Sequence, residues 1–262
     1  MKRLLCILAA ATMLFGLAGQ AAAYFENFEL FRVGYGNGVE VANDLGSVSS
    51  VLSSAPGTKF GAGDLEMKLA SFGGATWDQV NVAYFAVGPT AGTPQGGGLN
   101  KYEAWLSDSS GSAPVSGSRK WNALTGAYGQ AQTYYSFLAG AGTGEKQVIG
   151  ATGNAQSYYS NLDNGGLFVG KFAQFIATGF GEANLGALAS GGYVDLPLYY
   201  FSYTASSSGA FPATTGTLAG TLRTYIDSPN SAGTMNPVPI PGGVLLLGSG
   251  LLGLFGIRRK RN

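Results

Sequence analysis

The chain has 262 residues, of which 11% are charged, 43 are glycine, one is cysteine and none is histidine, and its formal net charge is +1. The absence of histidine excludes a Ser-His-Asp triad, and together with the single cysteine it excludes the usual zinc and copper sites. We expect no catalytic residue, no metal and no cofactor, and a pair of carboxylates is the catalytic route that stays open.

The first predicted element, residues 1–23, is a secretory signal peptide. A charged start, an apolar run and small residues follow one another there, at Lys2 and Arg3, residues 4–17, and Ala21 to Ala23. That order is typical of a segment that signal peptidase removes after Ala23, so the mature chain is expected to begin at Tyr24. The only cysteine, Cys6, would leave with this segment.

The part of the chain expected to be exported is mildly acidic. Residues 24–237 hold nine Lys or Arg and 14 Asp or Glu, a net charge of −5. Such a domain offers no basic patch, and we do not expect it to bind nucleic acid.

Residues 24–226 are predicted to form an all-β domain, an antiparallel β-sandwich of jelly-roll-like type. Glycine-rich turns separate segments in which apolar residues alternate, as they do in strands. In the segment 80–87 both faces are apolar, which indicates a central strand. Pro197 places its strand at an edge or beside a bulge. The predicted strands are 29–35, 65–69, 80–87, 102–106, 167–175, 194–204 and 217–226.

A repeat interrupts this pattern. Residues 126–138 recur as 150–162, with nine of 13 positions identical. Apolar and tyrosine positions in each copy follow helical spacing, which predicts a pair of short helices inserted at about 126–163. The paired tyrosines have two interpretations, a ligand platform or a cover that closes the core; they are Tyr134, Tyr135, Tyr158 and Tyr159.

The last two predicted elements are a linker and a membrane anchor. Residues 227–237 contain two prolines and no periodicity, which predicts an exposed tether. The uncharged residues 242–257 predict a single transmembrane helix, which the positive-inside rule orients with the preceding chain outside the inner membrane. The cations of its basic stop are Arg258, Arg259, Lys260 and Arg261.

The segment 238–262, VPIPGGVLLLGSGLLGLFGIRRKRN, resembles the C-terminal sorting domain of PEP-CTERM proteins of Gram-negative bacteria. Ile240 stands where the usual motif has Glu, so the sorting motif here is Val238, Pro239, Ile240 and Pro241. The resemblance implies an exosortase-like partner that cleaves near this motif, and an association with exopolysaccharide and biofilm. The residues around Arg32, 40–46 and 77–87 also resemble ectodomains of that family, which are β-sandwich-like.

Three hypotheses for function follow. The first is a non-enzymatic exported cell-surface or extracellular-matrix protein, anchored in the inner membrane before processing. The alternative is a polysaccharide-binding module or adhesin that stacks sugars on exposed aromatics, with candidate glycan contacts at Trp77, Trp105 and Trp121. A hydrolase that uses paired carboxylates is the third, although 14 acids produce close pairs by chance.

Overall fold

The structure is a computed structural model that describes residues 25–60, 65–88, 101–117, 121–140, 146–204 and 212–236. The signal peptide, the cleavage site at Ala21, Ala23 and Tyr24, and the whole sorting segment 238–262 lie outside these residues. None of the helices formed by the described residues is both long and apolar enough to cross a membrane.

The described residues form thirteen strands, two α-helices and four single-turn or short helices of other types. The strands are β1 Glu29–Gly36, β2 Val39–Ser47, β3 Lys59–Phe60, β4 Met67–Lys68, β5 Asn81–Val87, β6 Lys101–Ser107, β7 Val115–Ser116, β8 Gln147–Ala151, β9 Ile176–Thr178, β10 Glu182–Asn184, β11 Tyr193–Thr204, β12 Thr217–Ser228 and β13 Ser231–Met235. The helices are α1 Val48–Ser53, α2 Trp121–Ala139, the 3-10 turns Leu69–Phe72, Trp77–Gln79 and Gly186–Ser190, and a π-turn, Tyr158–Leu162.

Eleven of the strands belong to one curled antiparallel sheet. Its hydrogen-bonded path runs β3-β13-β12-β11-β6-β5-β1-β2-β8, with β10 joined to β5 and β4 joined to β13. The all-β class is therefore confirmed. The described strands follow one continuous path, however, rather than the two facing sheets of a jelly-roll-like sandwich, and only β7 and β9 stand apart as a small second sheet.

Both faces of the sheet are covered by other parts of the domain. This explains why the strand β5 has apolar residues on both of its faces. Ala83, Phe85 and Val87 face a first core that α2 and the segment 152–176 cover. Val82 and Tyr84 face a second core, which the curl of the sheet closes with residues of β12, β13 and the 3-10 turns. The prediction of a central strand buried on two sides is confirmed.

Five of the seven predicted strands are confirmed, as β1, β5, β6, β11 and β12. The prediction for 65–69 holds only for the two residues of β4, because a 3-10 turn begins at Leu69. The prediction for 167–175 is wrong. Three successive residues there, Phe172, Ala173 and Gln174, have φ of 45°, 55° and 65°, a left-handed backbone that no strand can contain. Next to Pro197, β11 shifts register between Leu198 and Tyr199, which is the expected bulge.

The predicted helical pair is half right. The first copy of the repeat lies within α2, but the second copy begins inside β8, whose Ile149 and Gly150 pair with Val41 and Glu40 of β2. Only its last five residues are helical, as the π-turn, and non-helical turns occupy the residues between. Strand pairing therefore overrides helical spacing in the second copy.

The linker prediction for 227–237 is wrong over most of its length. After a turn at Asn230, which has φ of 62°, β13 pairs with β12 and four of its five residues are buried. The side chain of Asn236 then donates to the carbonyl of Val51 at 2.9 Å. Small residues buried on both sides of a strand leave no alternation in the sequence, so the composition of β13 resembles that of a tether.

A truncation series tests where the domain ends. A chain that stops after Asp227 lacks β13 and should fail to fold, because both Arg32 and Tyr84 would lose buried partners. A chain that stops after Asn236 should keep the circular-dichroism spectrum and melting temperature of the longer protein. Equal melting temperatures for the two truncations would restore the tether interpretation.

The curl is held by the guanidinium of Arg32 on β1, which is fully buried. It donates to Asn43 Oδ1 on β2 at 3.0 and 2.7 Å, to Thr234 Oγ1 on β13 at 2.9 Å, and to the carbonyl of Leu65. Burial lowers the pKa of Arg32 to about 10, which leaves it charged near neutral pH. Its donors thus tie three separate parts of the chain together through neutral oxygens.

Replacing this cation should cost much more stability than replacing an exposed one. Arg32→Leu leaves Asn43 Oδ1 without a donor and removes one donor each from Thr234 Oγ1 and the carbonyl of Leu65, and we expect it to lower the free energy of unfolding by about 3 kcal/mol. The matched control is Arg223→Leu, which breaks a surface pair with Asp195 (Nε to Oδ1, 2.7 Å) and should cost under about 1 kcal/mol. Urea denaturation of both variants measures the difference, and equal losses would contradict the role given to Arg32.

Candidate functional site

A connected set of buried polar side chains lies in the first core, where β1, β2, α2 and β10 meet the π-turn. We call it the tyrosine–carboxylate cluster; its members are Tyr35, Glu40, Tyr135, Tyr158, Asp163 and Glu182. Glu182 accepts the hydroxyl of Tyr35 on one oxygen at 2.6 Å and the hydroxyl of Tyr158 on the other at 2.5 Å. Both of its oxygens are therefore satisfied by tyrosines that are themselves buried.

Glu40 positions the π-turn. Its Oε1 accepts the Tyr135 hydroxyl at 3.0 Å and the backbone N–H of Tyr158 at 3.3 Å, and its Oε2 accepts the N–H of Tyr159 at 3.3 Å. A carboxylate on two free N–H groups at the start of a turn satisfies donors that the turn cannot satisfy itself. Burial nevertheless raises the pKa of Glu40 to about 7.

Asp163 follows the π-turn directly and has 0% of its surface exposed. Neither carboxyl oxygen completes a hydrogen bond, although the N–H groups of Gly166 and Gly170 face it closely enough to favour its charge. Burial, and then the charge of Glu182, raise the pKa of Asp163 to about 7. Burial also raises the pKa of Glu182. Two acids in one dry site compete for a proton in this way.

The cluster contains acids whose pKa is raised, as catalytic sites often do. Unlike a catalytic site, it is closed to a substrate. Every member is at most 7% exposed, so no substrate could reach the carboxyl oxygens without displacing the core. The described residues also contain no group of three or more acidic, histidine or cysteine side chains arranged to hold a metal. What the cluster does is join the sheet to α2 and the π-turn.

A groove opens to the surface directly above the cluster. We call it the tyrosine groove; its volume is about 350 Å³ and it is lined by Tyr35, Gly36, Asn37, Gly38, Gln79, Thr152 and Tyr159. The rings of Tyr35 and Tyr159 form its aromatic side, with centroids 5.1 Å apart and planes inclined by 53°. It combines two aromatic rings with the amide side chains of Asn37 and Gln79.

A second groove, of about 420 Å³, lies on the opposite face of the sheet. Its lining is mostly apolar: Leu69, Thr76, Trp77, Leu188, Ala189, Gly191, Ile226 and Asn230. Trp77 is 5% exposed and contributes little ring surface to it.

The predicted glycan contacts do not form a strip. Trp121 is 1% exposed and packs against Tyr102 and Phe175, so the prediction for this residue is wrong: no ring face is left for a sugar. Trp105 is half-buried and lies 5.0 Å from the ring of Tyr200. Trp121 on α2 and Trp105 on β6 occupy positions that face the core. The spacing of these tryptophans in the sequence does not show which face of their helix or strand is buried.

The tyrosines of the repeat separate into two groups. Tyr134, Tyr135 and Tyr158 are buried in the first core and favour the core-cover interpretation. Tyr159 is half-buried and lines the tyrosine groove, so for this one residue the ligand-platform interpretation stays open. The two acids that the repeat tyrosines contact, Glu40 and Glu182, were not predicted, because acids are usually exposed and nothing in their neighbourhood marks them as buried.

Comparison of the chain with models of protein families, with curated proteins and with solved structures gave no match in any of the three.

The buried acids predict an unusual dependence of stability on pH. Because the folded pKa of Asp163 and of Glu40 is raised to about 7, the folded state holds these protons more tightly than the unfolded chain does. The free energy of unfolding should therefore be highest near pH 4 and fall as the pH rises towards 7. Asp163→Asn replaces one of these acids by an amide that does not titrate. The free energy of unfolding of the variant should therefore fall less steeply with pH, and at pH 8 the variant should be more stable than the wild type.

The matched control is Asp78→Asn, which changes an exposed acid and should leave the decline unaltered. Denaturant titrations at a series of pH values measure all three proteins. A wild-type stability that rises between pH 4 and 7, or an Asp163→Asn variant with the wild-type slope, would contradict the assignment.

Proposed function

We propose that this protein is a non-enzymatic component of the cell surface or extracellular matrix, exported with a signal peptide and processed at its C-terminal sorting segment. The observation that carries the proposal is the fit between the folded domain and the two expected cuts. The described part of the domain begins at Phe25 and ends at Asn236, and both expected cuts fall outside it, so that neither would remove a described strand or helix or the contacts of Phe25 and Asn236.

At the N-terminal side the fit depends on Phe25. Its ring is fully buried against Phe31 and Tyr135, and its backbone N–H donates to Asp44 Oδ2 at 2.9 Å. Removal of residues 1–23 would leave this anchor intact with Tyr24 ahead of it. A cut even two residues later would remove a ring from the first core.

At the C-terminal side the fit depends on Asn236. Its amide group donates to the carbonyls of Val51 and Ser54, which ends β13 against α1. The expected sorting motif, Val238 to Pro241, begins two residues later. A sorting enzyme acting there would release a domain whose last strand is already closed.

The remaining parts of the proposal rest on the sequence. Residues 242–257 would hold the precursor in the inner membrane, with Arg258 to Arg261 on the cytoplasmic side. An exosortase-like enzyme would then cleave near Pro239 and Pro241 and pass the domain to a surface or matrix rich in exopolysaccharide. A structural role agrees with a domain in which the carboxyl groups of Glu40 and Glu182 accept hydrogen bonds from tyrosines of the core.

The intact mass of the native product tests both cuts. We expect a chain that begins at Tyr24 and ends near the Val-Pro-Ile-Pro motif, found outside the inner membrane. In a strain without its exosortase the mass should increase by the uncleaved tail, and the product should stay in the inner-membrane fraction.

A pair of variants provides the control. Pro239→Ala with Pro241→Ala should block processing, whereas Pro56→Ala with Pro212→Ala changes two exposed prolines of the folded domain and should not. Identical mass and location of the product with and without the exosortase would defeat the proposal.

A further inference from the structure

The tyrosine groove has the composition of a site for an uncharged, hydroxyl-rich ligand. None of its seven lining residues carries a charge, although the domain as a whole is acidic. The half-buried ring of Tyr159 and the edge of Tyr35 supply an aromatic surface on which a ring with C–H groups can pack. A charged ligand would find no partner there, and a purely apolar one would leave the amides of the groove desolvated.

Two side-chain amides supply complementary hydrogen-bonding groups. Asn37 donates its nitrogen to the carbonyls of Phe72 and Gly73 at 3.3 and 2.8 Å, so its oxygen has no partner among the described residues. Gln79 uses its oxygen to accept the N–H and hydroxyl of Thr76, at 3.0 and 3.2 Å, so among the same residues its nitrogen has none. One unfilled acceptor and one unfilled donor group on a single groove match adjacent hydroxyls, each of which both donates and accepts.

The walls of the groove are already in place. The hydroxyl of Tyr35 is fixed by Glu182, and the N–H of Thr152 donates to the carbonyl of Gly38 at 3.1 Å. Gly36 lies so close to Gln79 that a Cβ atom would come within 2.6 Å of its carbonyl oxygen, which explains why glycine stands there. A groove that needs no ordering keeps more of its contact energy as affinity.

We propose that the tyrosine groove binds a neutral sugar ring, stacked on Tyr159 and hydrogen-bonded by Asn37 and Gln79. Its volume of about 350 Å³ is at the small end of ligand pockets and suits about one or two rings. Since the groove is open to solvent, the ring can belong to a longer polymer. This activity goes beyond export and sorting and stands or falls independently of them.

Ligand-observed NMR and calorimetry test the site on the full-length chain. The protein is kept in a zwitterionic detergent without a sugar headgroup, since glycoside detergents would compete. The probes are glucose, galactose, mannose and N-acetylglucosamine with their short homo-oligomers, and glucuronic acid is the charged comparator. We expect at least one neutral probe to bind and glucuronic acid to bind more weakly than glucose.

Three variants of the groove and one control variant locate the binding. Tyr159→Ala should weaken it by about tenfold or more and Tyr159→Phe by about twofold or less, because the ring and not the hydroxyl makes the stacking contact. Gln79→Glu keeps the oxygen that Thr76 needs but replaces the donor by a charge, and should weaken binding at least as much. Tyr193→Ala removes a tyrosine that is 52% exposed elsewhere and should have no effect.

Three results would overturn the proposal. They are the absence of binding to every neutral probe, wild-type affinity in Gln79→Glu, and glucuronic acid binding as tightly as glucose. Gln79→Glu decides the matter even if Tyr159→Ala does not fold. Because the mass and location of the processed product are measured separately, failure of the sugar site leaves the proposal of export untouched.

Discussion

The curl of the sheet depends on a buried cation. Arg32 places a full charge inside the second core and satisfies it with neutral oxygens from β2, β13 and the segment before β4. Those oxygens can surround the guanidinium only when β2 and β13, each the second strand from an end of the path, approach each other. Burying the charge is costly, so any other arrangement of these strands that left Arg32 dry and unbonded would be strongly disfavoured. Such a group favours one closure of the sheet over slipped alternatives.

In the first core, buried carboxyl groups and not a buried cation connect distant parts of the chain. There, carboxyl groups from β2 and β10 meet tyrosine hydroxyls from β1, α2 and the π-turn. Burial raises the pKa of these acids and phenols, and the hydrogen bonds from the tyrosine hydroxyls to the carboxyl oxygens join the layers through the core. The two polar networks lie on opposite faces of β1, where Arg32 and Tyr35 point to different sides. They give this cysteine-poor domain links between its layers that depend on no disulfide.

The tyrosine groove exists because of these same constraints. Tyr35 closes the first core with its hydroxyl and lines the groove with its ring. Tyr159 is held by Glu40 through its backbone, which leaves its ring at the surface. The β1–β2 turn at Asn37 and the 3-10 turn at Gln79 complete the opening. A rigid interior thus presents a small, uncharged, aromatic surface on an acidic domain, the combination on which the sugar proposal rests.

The sequence by itself determined the all-β class, five strands including the central β5, the first helix of the repeat, and the candidate signals at both ends, because each depends on local periodicity or composition. Only the tertiary structure decided that the strands form one curled sheet, that β13 and not a tether ends the domain, that Trp121 is core, and that Glu40, Asp163 and Glu182 are buried together. The reason is physical: a buried acid, a buried arginine or a strand of small residues gains its partners from segments far away in the chain. No window along the sequence contains both members of such a contact.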